Sequence, residues 1–357
     1  MDLPLKRTGF RLFKKIQTRR HELNYLFWEC TTRCNLNCLH CGSDCQKEGS
    51  SVDMPLSDFL CALDTIRSPS EIFTVVLTGG EPLLRKDLAT ISREIRKRGM
   101  RWGMVSNGYL YNHENHSELL SAGMGSLTLS LDGLEGSHNW LRNNRNSYKR
   151  VDRAIGLAAG SGRLNFDVVT CVNKHNLIEL QDIYQYLLRK GVKAWRLFTI
   201  APIGRAAGHP ELFLGGQEFQ KVMEFITLKR KEGEMDVKFS CEGYVGAYEN
   251  KVRDTPFFCR AGINIGSVLI DGSISACPNI DRSFVQGNIY EDDFYWVWTT
   301  RFQSFRDRSW TRRGKCANCK DYRDCQGNGL HFWHGEKTEP LVCHKEWLEQ
   351  VHEGAVL

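Results

Sequence analysis

Three cysteines near the start of the chain have a type and a spacing that could bind a metal cofactor. Cys34, Cys38 and Cys41 form the pattern CxxxCxxC within eight residues. Thiolates are the usual protein ligands of iron–sulfur clusters, and three of them can hold three irons of a [4Fe–4S] cube. The fourth iron would then be open to a substrate or cofactor. The spacing therefore predicts an iron–sulfur site with one open coordination position.

Two other interpretations of this spacing are one face of a helix and a zinc site. Positions i, i+4 and i+7 share a helix face, but the surrounding residues disfavour a helix. The poor helix formers here are Thr31, Thr32, Asn35, Asn37 and Gly42. Zinc also accepts thiolate ligands, so that alternative stays open at this point.

Cysteine is unusually abundant, with 14 in 357 residues. We find no secretory signal, and clustered cysteines in a cytosolic chain indicate metal binding or catalysis rather than disulfides. We therefore expect a cytoplasmic protein. A second group comprises Cys259, Cys277, Cys316, Cys319, Cys325 and Cys343. Cys61, Cys171 and Cys241 stand alone, and we expect them to be small buried apolar residues.

The composition is that of a globular protein of about two domains, with 41% hydrophobic and 25% charged residues. No apolar run of about 18 residues is present, which excludes a spanning helix. The net charge of +6 is mild. Because no basic stripe with interleaved aromatic residues lies beside the cysteine motifs, we expect no nucleic-acid partner.

A basic segment opens the chain and allows two interpretations. Phe10, Leu12, Phe13 and Ile16 are interleaved with its cations. It is either a solvated basic helix packed on the domain or a peripheral contact with an anionic membrane or an acidic partner. Its cations are Lys6, Arg7, Arg11, Lys14, Lys15, Arg19 and Arg20.

The elements that must position the first cysteines alternate between strand and helix. Apolar strands are predicted at 24–30, 73–80, 102–108, 126–133, 164–173 and 194–204. Helices are predicted between them at 55–68, 87–99, 116–124, 148–162 and 177–192. This alternation is typical of a parallel sheet with helical crossovers. Six units rather than eight predict an α/β fold, a partial (β/α)6 TIM-like barrel.

The pattern changes after the sixth strand, and four segments follow from it. We expect a basic extension at 1–23, the barrel at 24–206, a largely helical bridge at 207–256 and a cysteine-rich domain at 257–357. A hairpin is predicted from strands at 263–270 and 273–278 around Asp271-Gly272. The last segment therefore reads as a small C-terminal α+β domain organised around metal.

Several short motifs occur in order with the first cysteines, each at the end of a predicted strand or just after it. They are CNLNCLHC at 34–41, GGEP at 79–82, SNG at 106–108, SLDG at 130–133, WLRNNRNSY at 140–148 and PIGRA at 202–206. With these motifs, residues 24–206 resemble the radical S-adenosylmethionine (SAM) superfamily. In that family an aromatic residue usually precedes the third cysteine, where this chain has His40.

The resemblance implies SAM and a [4Fe–4S] cluster at Cys34, Cys38 and Cys41 as cofactors. It implies that Gly79 and Gly80 let the backbone approach the methionine moiety and that Glu81 accepts from its ammonium group. Arg142 would pair with the SAM carboxylate, and Ser130 and Asp132 would meet the ribose. Asn107 joins this cofactor-binding set. The implied activity is reductive cleavage of SAM to a 5′-deoxyadenosyl radical that abstracts hydrogen.

The second cysteine group resembles the SPASM extension of peptide-modifying radical SAM enzymes. The resemblance implies an auxiliary [4Fe–4S] cluster at Cys316, Cys319, Cys325 and Cys343, for which a four-cysteine zinc ribbon is the alternative. Cys259 and Cys277 match the ligands of a second auxiliary cluster. Gly329 stands where the family has a further cysteine. We therefore expect that second cluster to be lost, the alternative being completion by His331, His334 or a carboxylate.

The resemblance favours a radical SAM oxidoreductase that modifies a peptide or protein, that is, a maturase. A small-molecule enzyme of cofactor or tetrapyrrole biosynthesis is the alternative, and a non-catalytic iron–sulfur module is a weaker one. Pro278 stands where sulfatase-maturing relatives have an acidic residue. The start YLFWECTTRCNLNCLHCGSDC also resembles a subgroup paired with a small lipoprotein. The expected partners are thus a peptide or protein, possibly such a lipoprotein, and a flavodoxin- or ferredoxin-type electron donor.

Overall fold

One sheet of ten strands runs through the molecule. The computed structural model describes residues 3–67, 73–335 and 337–354. The strand order is β10-β9-β8-β1-β2-β3-β4-β5-β6-β7. Neighbours from β8 through β1 to β7 are parallel, whereas β8–β9 and β9–β10 are antiparallel. The strands are β1 (Tyr25–Thr31), β2 (Thr74–Gly79), β3 (Arg101–Ser106), β4 (Ser126–Ser130), β5 (Asn165–Val172), β6 (Ala194–Thr199), β7 (Asp236–Phe239), β8 (Ile265–Val268), β9 (Ser273–Ser275) and β10 (Gly287–Asn288).

Helices connect the parallel strands and cover the sheet. The first seven are α1 (Leu3–Arg20), α2 (Leu56–Asp64), α3 (Leu88–Lys97), α4 (His113–Ser121), α5 (Glu135–Leu141), α6 (Ser147–Gly160) and α7 (Leu180–Arg189). The others are α8 (Gly216–Glu232), α9 (Glu249–Val252), α10 (Phe294–Thr300), α11 (Gln303–Arg306), α12 (Tyr322–Cys325) and α13 (His344–Gly354). The helix predicted at 55–68 ends at Asp64, and the prediction for Ser68 falls outside the described residues.

The sheet forms because its central strands are apolar and become fully buried. Trp28, Trp102 and Trp195 lie in β1, β3 and β6 with no exposed surface. Helix α3 turns Ile91 and Ile95 inward toward this core. Strands covered by helices are typical of parallel α/β sheets. The predicted α/β fold with a partial barrel is confirmed.

The segment 207–256 contains the long helix α8 and a short strand that was not predicted. Strand β7 pairs in parallel with β6, with Val237 opposite Trp195. Sequence patterning missed it because β7 has only four residues, of which Val237 and Phe239 are buried. Seven consecutive strands, β1 to β7, are therefore parallel.

The predicted C-terminal hairpin is confirmed, and it also extends the barrel sheet. Gly272 forms the turn between β8 and β9 with a φ of +83°, a conformation that glycine adopts without strain. Strand β8 pairs in parallel with β1, placing Ser267 opposite Phe27. The pairing was not predicted, because nothing local in either strand specifies so distant a neighbour.

Helix α1 packs on the cysteine-rich region through part of its basic face. Arg11 forms two hydrogen bonds with the Asp324 carboxylate, at 2.7 and 2.8 Å. Lys14 is buried, and its Nζ donates to the carbonyl oxygens of Phe257 and Asp324. The interpretation as a packed helix fits these two cations. Leu12 and Ile16 remain exposed. The Lys6 side chain lies outside the described residues.

None of the described helices combines the length and the apolar character needed to cross a bilayer.

Candidate functional site

The motif residues converge at the carboxyl ends of the first strands. The loop after β1 carries Cys34, Cys38 and Cys41, and β2 ends at Gly79. Asn107 follows β3 and Asp132 follows β4. In α/β barrels, functional sites form at this edge of the sheet. Residues far apart in the sequence are thus brought around the first cysteine group.

The three thiols of this loop interact with one another and with two neighbouring donors. Burial raises the pKa of Cys34 to about 11, and the nearby charges of Cys38 and Cys41 contribute in the same direction. Asn107 Nδ2 lies 3.8 Å from Cys34 Sγ, and Arg142 Nη1 lies 3.7 Å from Cys38 Sγ. Such donors offset the negative charge of thiolates, which are the form that binds iron.

Cys41 differs from its two partners because a fourth thiol touches it. A hydrogen bond from the Cys45 side chain lowers the pKa of Cys41 to about 6. Cys30, in contrast, donates to the Thr78 carbonyl oxygen at 3.3 Å inside the core. Burial raises the pKa of Cys30 to about 12. Cys30 is thus held as a neutral thiol inside the core.

Asp132 and Arg142 form a buried ion pair beside the thiols. Arg142 Nε donates to Asp132 Oδ2 at 2.6 Å, and Cys171 N donates to Asp132 Oδ1 at 2.8 Å. Burial pushes the pKa of Asp132 upward, but the Arg142 charge, the neighbouring histidines and the hydrogen bond from Cys171 N together bring the pKa below its ordinary value. Both residues were predicted to contact SAM. In the structure the two side chains pair with each other, and their contacts with SAM stay predictions.

Glu81 is fully buried and its carboxylate bonds to the protein. Its Oε1 accepts from Ser106 Oγ at 2.9 Å and from Leu83 N at 3.2 Å, while Oε2 accepts from Asn107 N at 2.8 Å. Burial raises the pKa of Glu81 to about 7. The side chain ties the end of β2 to the end of β3, and its predicted contact with the SAM ammonium stays a prediction.

Gly79 and Gly80 have a steric role that sequence analysis did not anticipate. A Cβ atom on Gly79 would lie 2.1 Å from the Thr31 carbonyl oxygen. A Cβ on Gly80 would lie 2.1 Å from the Arg33 carbonyl oxygen. Only glycine lets β2 approach the loop that carries the cysteines. Ser130 is half-buried at the end of β4.

The thiol spacing bears on the zinc alternative. Among the described residues, one group brings three ligand atoms within 4.8 Å of one another, and it consists of His40, Asp132 and Cys171. Arg142 already neutralises Asp132 there, which disfavours a cation. Zinc–sulfur bonds of about 2.3 Å in a tetrahedron place thiolates about 3.8 Å apart. In the part of the chain that the structure describes, no three of the predicted cysteine ligands lie within 4.8 Å of one another, which disfavours zinc at either group.

Arg205 is a residue of this site that sequence analysis left without a role. Its Nη1 donates to the Cys38 carbonyl oxygen at 2.7 Å, and its Nη2 to that of Cys45 at 2.9 Å. Its backbone N donates to the Cys41 carbonyl oxygen at 2.9 Å. The signal was its place in PIGRA after the sixth strand. Arg205, which follows β6, therefore holds the cysteine loop in place through three hydrogen bonds.

We expect Arg205→Met to loosen this loop. Hydrogen bonds from a charged group are worth about 1.5–3 kcal/mol each, and 1.4 kcal/mol corresponds to about a factor of ten. The rate at which a chelator removes iron from the Cys34 group should rise about tenfold or more. The EPR signal that changes on SAM addition reports this cluster. Arg163→Met replaces an exposed arginine and should leave the rate unchanged. Equal rates of iron loss in both variants would contradict this role of Arg205.

The predicted four-cysteine auxiliary group is brought together in the structure. Cys316, Cys319, Cys325 and Cys343 line one cavity of about 290 Å³. The backbone N of Asn328 donates to Cys325 Sγ at 3.2 Å. All 14 cysteines are free thiols. Both the donor set and the space fit an iron–sulfur cluster.

Cys259 and Cys277 line a separate cavity of about 360 Å³. Cys241 lines it as well, although sequence analysis treated that residue as an isolated buried thiol. The prediction that Cys241 is buried is wrong, since its side chain is exposed and lines this space. It is also wrong for Cys61, which is exposed in α2. This grouping was not predicted because Cys241 follows β7, and β7 itself was not predicted from the sequence.

Two family models match the chain. The radical SAM superfamily matches residues 28–187, and the SPASM iron–sulfur cluster-binding domain matches residues 259–320. The chain therefore carries a radical SAM domain followed by a SPASM domain. Its SPASM region places it among members that carry iron–sulfur clusters beyond the first. As a radical SAM enzyme it uses SAM and [4Fe–4S] clusters.

The curated relatives of this radical SAM enzyme fall into two groups. AdoMet-dependent heme synthase of Nitratidesulfovibrio vulgaris is 26% identical over 318 residues, covering 84% of this chain and 85% of the relative. Mycofactocin maturase MftC of Mycobacterium ulcerans is 25% identical over 312 residues, covering 85% and 81%. The relatives therefore include enzymes named for small molecules and enzymes named for maturation.

Two solved structures share the fold of this radical SAM enzyme. Streptococcus suis SuiB bound to S-adenosylmethionine superposes with a TM-score of 0.69 at 15% identity, covering 90% of this chain and 79% of SuiB. Native anSMEcpe with bound AdoMet and Cp18Cys peptide gives 0.70 at 18% identity, covering 94% and 97%. At these identities the likeness is one of fold alone.

Proposed function

We propose that this radical SAM enzyme abstracts a hydrogen atom from a side chain of a peptide or protein and so acts as a maturase. The observation that carries the proposal is an exposed surface beside the first cysteine group. Trp140 and Ile178 are 38% and 86% exposed, and Trp140 lies against the His175 ring at 4.0 Å between centroids. Exposed apolar surface at a site is typical of contact with a partner.

Helix α5 connects this surface to the site. Trp140 lies two residues before Arg142, and Leu39 N donates to the Leu141 carbonyl oxygen at 2.9 Å. Helix α5 therefore touches the cysteine loop. A peptide resting on Trp140 and His175 lies next to the thiols. The relation to the maturase MftC agrees with such a substrate.

We assign the cofactor roles as follows. Cys34, Cys38 and Cys41 hold the first cluster, and SAM binds among Asn107, Ser130 and the Gly79-Gly80 backbone. When bound, these groups supply reductive cleavage of SAM and a 5′-deoxyadenosyl radical that removes hydrogen. The Arg142 and Asn107 side chains donate toward Cys38 and Cys34 and stabilise their thiolate forms. The loop contacts of Arg205 hold the thiols in place.

The auxiliary group and helix α1 define the proposed partners. Cys316, Cys319, Cys325 and Cys343 hold an auxiliary cluster. Arg11 and Lys14 anchor α1 at Asp324, next to Cys325. Arg7, Lys15, Arg19 and Arg20 are exposed on α1 and give it a basic surface, which suits an acidic flavodoxin- or ferredoxin-type donor. The exposed Leu12 and Ile16 suit contact with a small membrane-anchored lipoprotein. Reduced clusters and free thiols agree with a cytoplasmic location.

The first test is production of 5′-deoxyadenosine by anaerobically reconstituted protein with dithionite and SAM. Cys34→Ala should lose the product to background because one of three iron ligands is gone. Cys61→Ala removes an exposed cysteine in α2 and should keep the parental yield. Mass spectrometry quantifies the nucleoside. Equal yields from the parent and Cys34→Ala would refute the role of this thiol.

A second candidate is a small-molecule reaction on a tetrapyrrole, which the relation to heme synthases favours. Two additions separate the candidates: a low-mass extract of the host cells, with or without protease treatment, and Fe-coproporphyrin III. Stimulation of 5′-deoxyadenosine formation that protease abolishes supports the maturase. Stimulation by Fe-coproporphyrin III alone, with a mass change in that compound, supports the second candidate and refutes the first.

A further inference from the structure

The cavity of about 360 Å³ gathers four metal-binding side chains from four separate segments. Cys241 follows the end of β7, and Cys259 precedes β8. Cys277 follows β9. His331 comes from the loop after α12. Three thiols and one imidazole from separate parts of the chain thus line the same cavity.

The three thiols are near enough to influence one another. Cys277 interacts electrostatically with both Cys241 and Cys259, and Cys241 interacts in the same way with Cys259. They are nevertheless wider apart than a single ion requires, because they do not come within 4.8 Å as a group of three.

Hydrogen-bond donors surround the Cys259 thiol. The backbone N–H groups of Leu330 and Ala261 and the Arg308 side chain donate to it. Arg308 Nη2 also donates to the Cys259 carbonyl oxygen at 2.7 Å. The Leu330 contact ties the loop that carries His331 directly to this thiol.

The His331 imidazole lies beside Gly329. A Cβ atom on Gly329 would lie 2.3 Å from the Glu242 carbonyl oxygen, 2.6 Å from His331 Cε1 and 2.9 Å from Nδ1. A cysteine at 329, as in the SPASM pattern, would therefore collide with the Glu242 backbone as well as with this ring. The ring also lines the cavity, and neutral imidazole is the form that binds metals.

The four-cysteine cavity gives an internal comparison. It measures about 290 Å³ and offers four ligands, while this cavity is slightly larger and also offers four. His334, the other histidine of the region, bonds to Asp281 at 2.9 Å and does not line the cavity. Only His331 of the two is placed to act as a ligand.

We propose that Cys241, Cys259, Cys277 and His331 bind a second auxiliary [4Fe–4S] cluster through three thiolates and one imidazole. This departs from our sequence-based expectation that the second auxiliary cluster is lost. It is independent of the substrate class proposed above. Replacing a thiolate by a neutral imidazole makes a cluster less negative, and histidine ligation is known to raise reduction potentials. The site is thus a cluster of higher potential than its four-thiolate neighbour.

Iron content is the first test, measured on the full chain after anaerobic reconstitution. Three four-iron clusters predict about 12 irons per chain, and Cys241→Ala should fall to about 8. Cys61→Ala should stay at the parental value. Far-ultraviolet circular dichroism checks that the variants fold. A parental content of about 8 irons, or one zinc at this site, would overturn the proposal.

Nitrogen hyperfine coupling in pulsed EPR of the reduced protein is the second test, with ¹⁵N-histidine labelling. The parent and His334→Ala should show a coupling from a directly bound imidazole. His331→Cys should lose it, keep the parental iron content and lower the potential of one cluster. Coupling that persists in His331→Cys would overturn the imidazole assignment, whatever the fate of SAM cleavage.

Discussion

Replacing Asp132 with asparagine will lower the free energy of unfolding by about 3–5 kcal/mol, because it leaves the Arg142 charge buried without its partner. Both side chains lie inside the protein, where Arg142 Nε donates to Asp132 Oδ2 at 2.6 Å and Arg142 Nη2 lies 2.5 Å from the same oxygen. The pKa of Asp132 is depressed in the fold, so its stabilisation is complete above the unfolded value of about 3.9 and is lost as pH falls through the folded pKa.

The measurement is urea-induced unfolding of the Asp132→Asn variant at pH 7.5, compared with two other variants. Asp64→Asn breaks the surface pair with Arg98, whose side chains are 56% and 24% exposed, and should cost at most about 1 kcal/mol. The double variant Asp132→Asn/Arg142→Met removes both charges and should recover much of the loss. Similar costs for the buried and the surface variant would contradict the prediction.

The second large effect is expected for Gly80→Ala, which should prevent assembly of the first cluster. The added methyl group would lie 2.1 Å from the Arg33 carbonyl oxygen, a backbone atom that can move only with the cysteine loop. We expect about four irons fewer per chain and no 5′-deoxyadenosine.

Gly156→Ala is the matched control for this substitution. Gly156 is exposed in α6, and a Cβ there meets nothing within 4 Å. Alanine at an open helical position stabilises by roughly 0.5–1 kcal/mol, so iron content and product should stay at the parental values. Full iron in Gly80→Ala would show that the loop can shift away from β2 without harm.

The sequence predicted the parts of this structure that have a local period or a local motif. Six strands of the barrel, the hairpin around Gly272 and the cysteine loop after β1 were all visible in that way. Strand β7 was not, because four residues with two apolar positions do not form a distinguishable pattern. Its absence from the prediction also hid Cys241.

The candidate site was predicted by residue type but not by partner. The motifs marked Glu81, Asp132 and Arg142 as functional. That Glu81 bonds to Ser106, or that Asp132 and Arg142 pair, follows from packing between strands. The exchange of a cysteine for His331 depends on an imidazole filling the space beside Gly329. A histidine two residues after the position of the expected cysteine is not recognisable from the sequence as its replacement.

The pairing of β1 with β8 sets the order in which the molecule can be completed. Tyr25 lies opposite Ile265, and Glu29 accepts from Ile270 N at 3.1 Å. During synthesis β1 has one free edge until the chain beyond residue 265 has emerged. Closing so long a loop is slow, and an unpaired edge is exposed to aggregation in the meantime. The loop that follows β1 is among the first parts to be made, yet its supporting strand is finished among the last. Cys34, Cys38 and Cys41 can therefore bind iron stably only after most of the chain has folded around them.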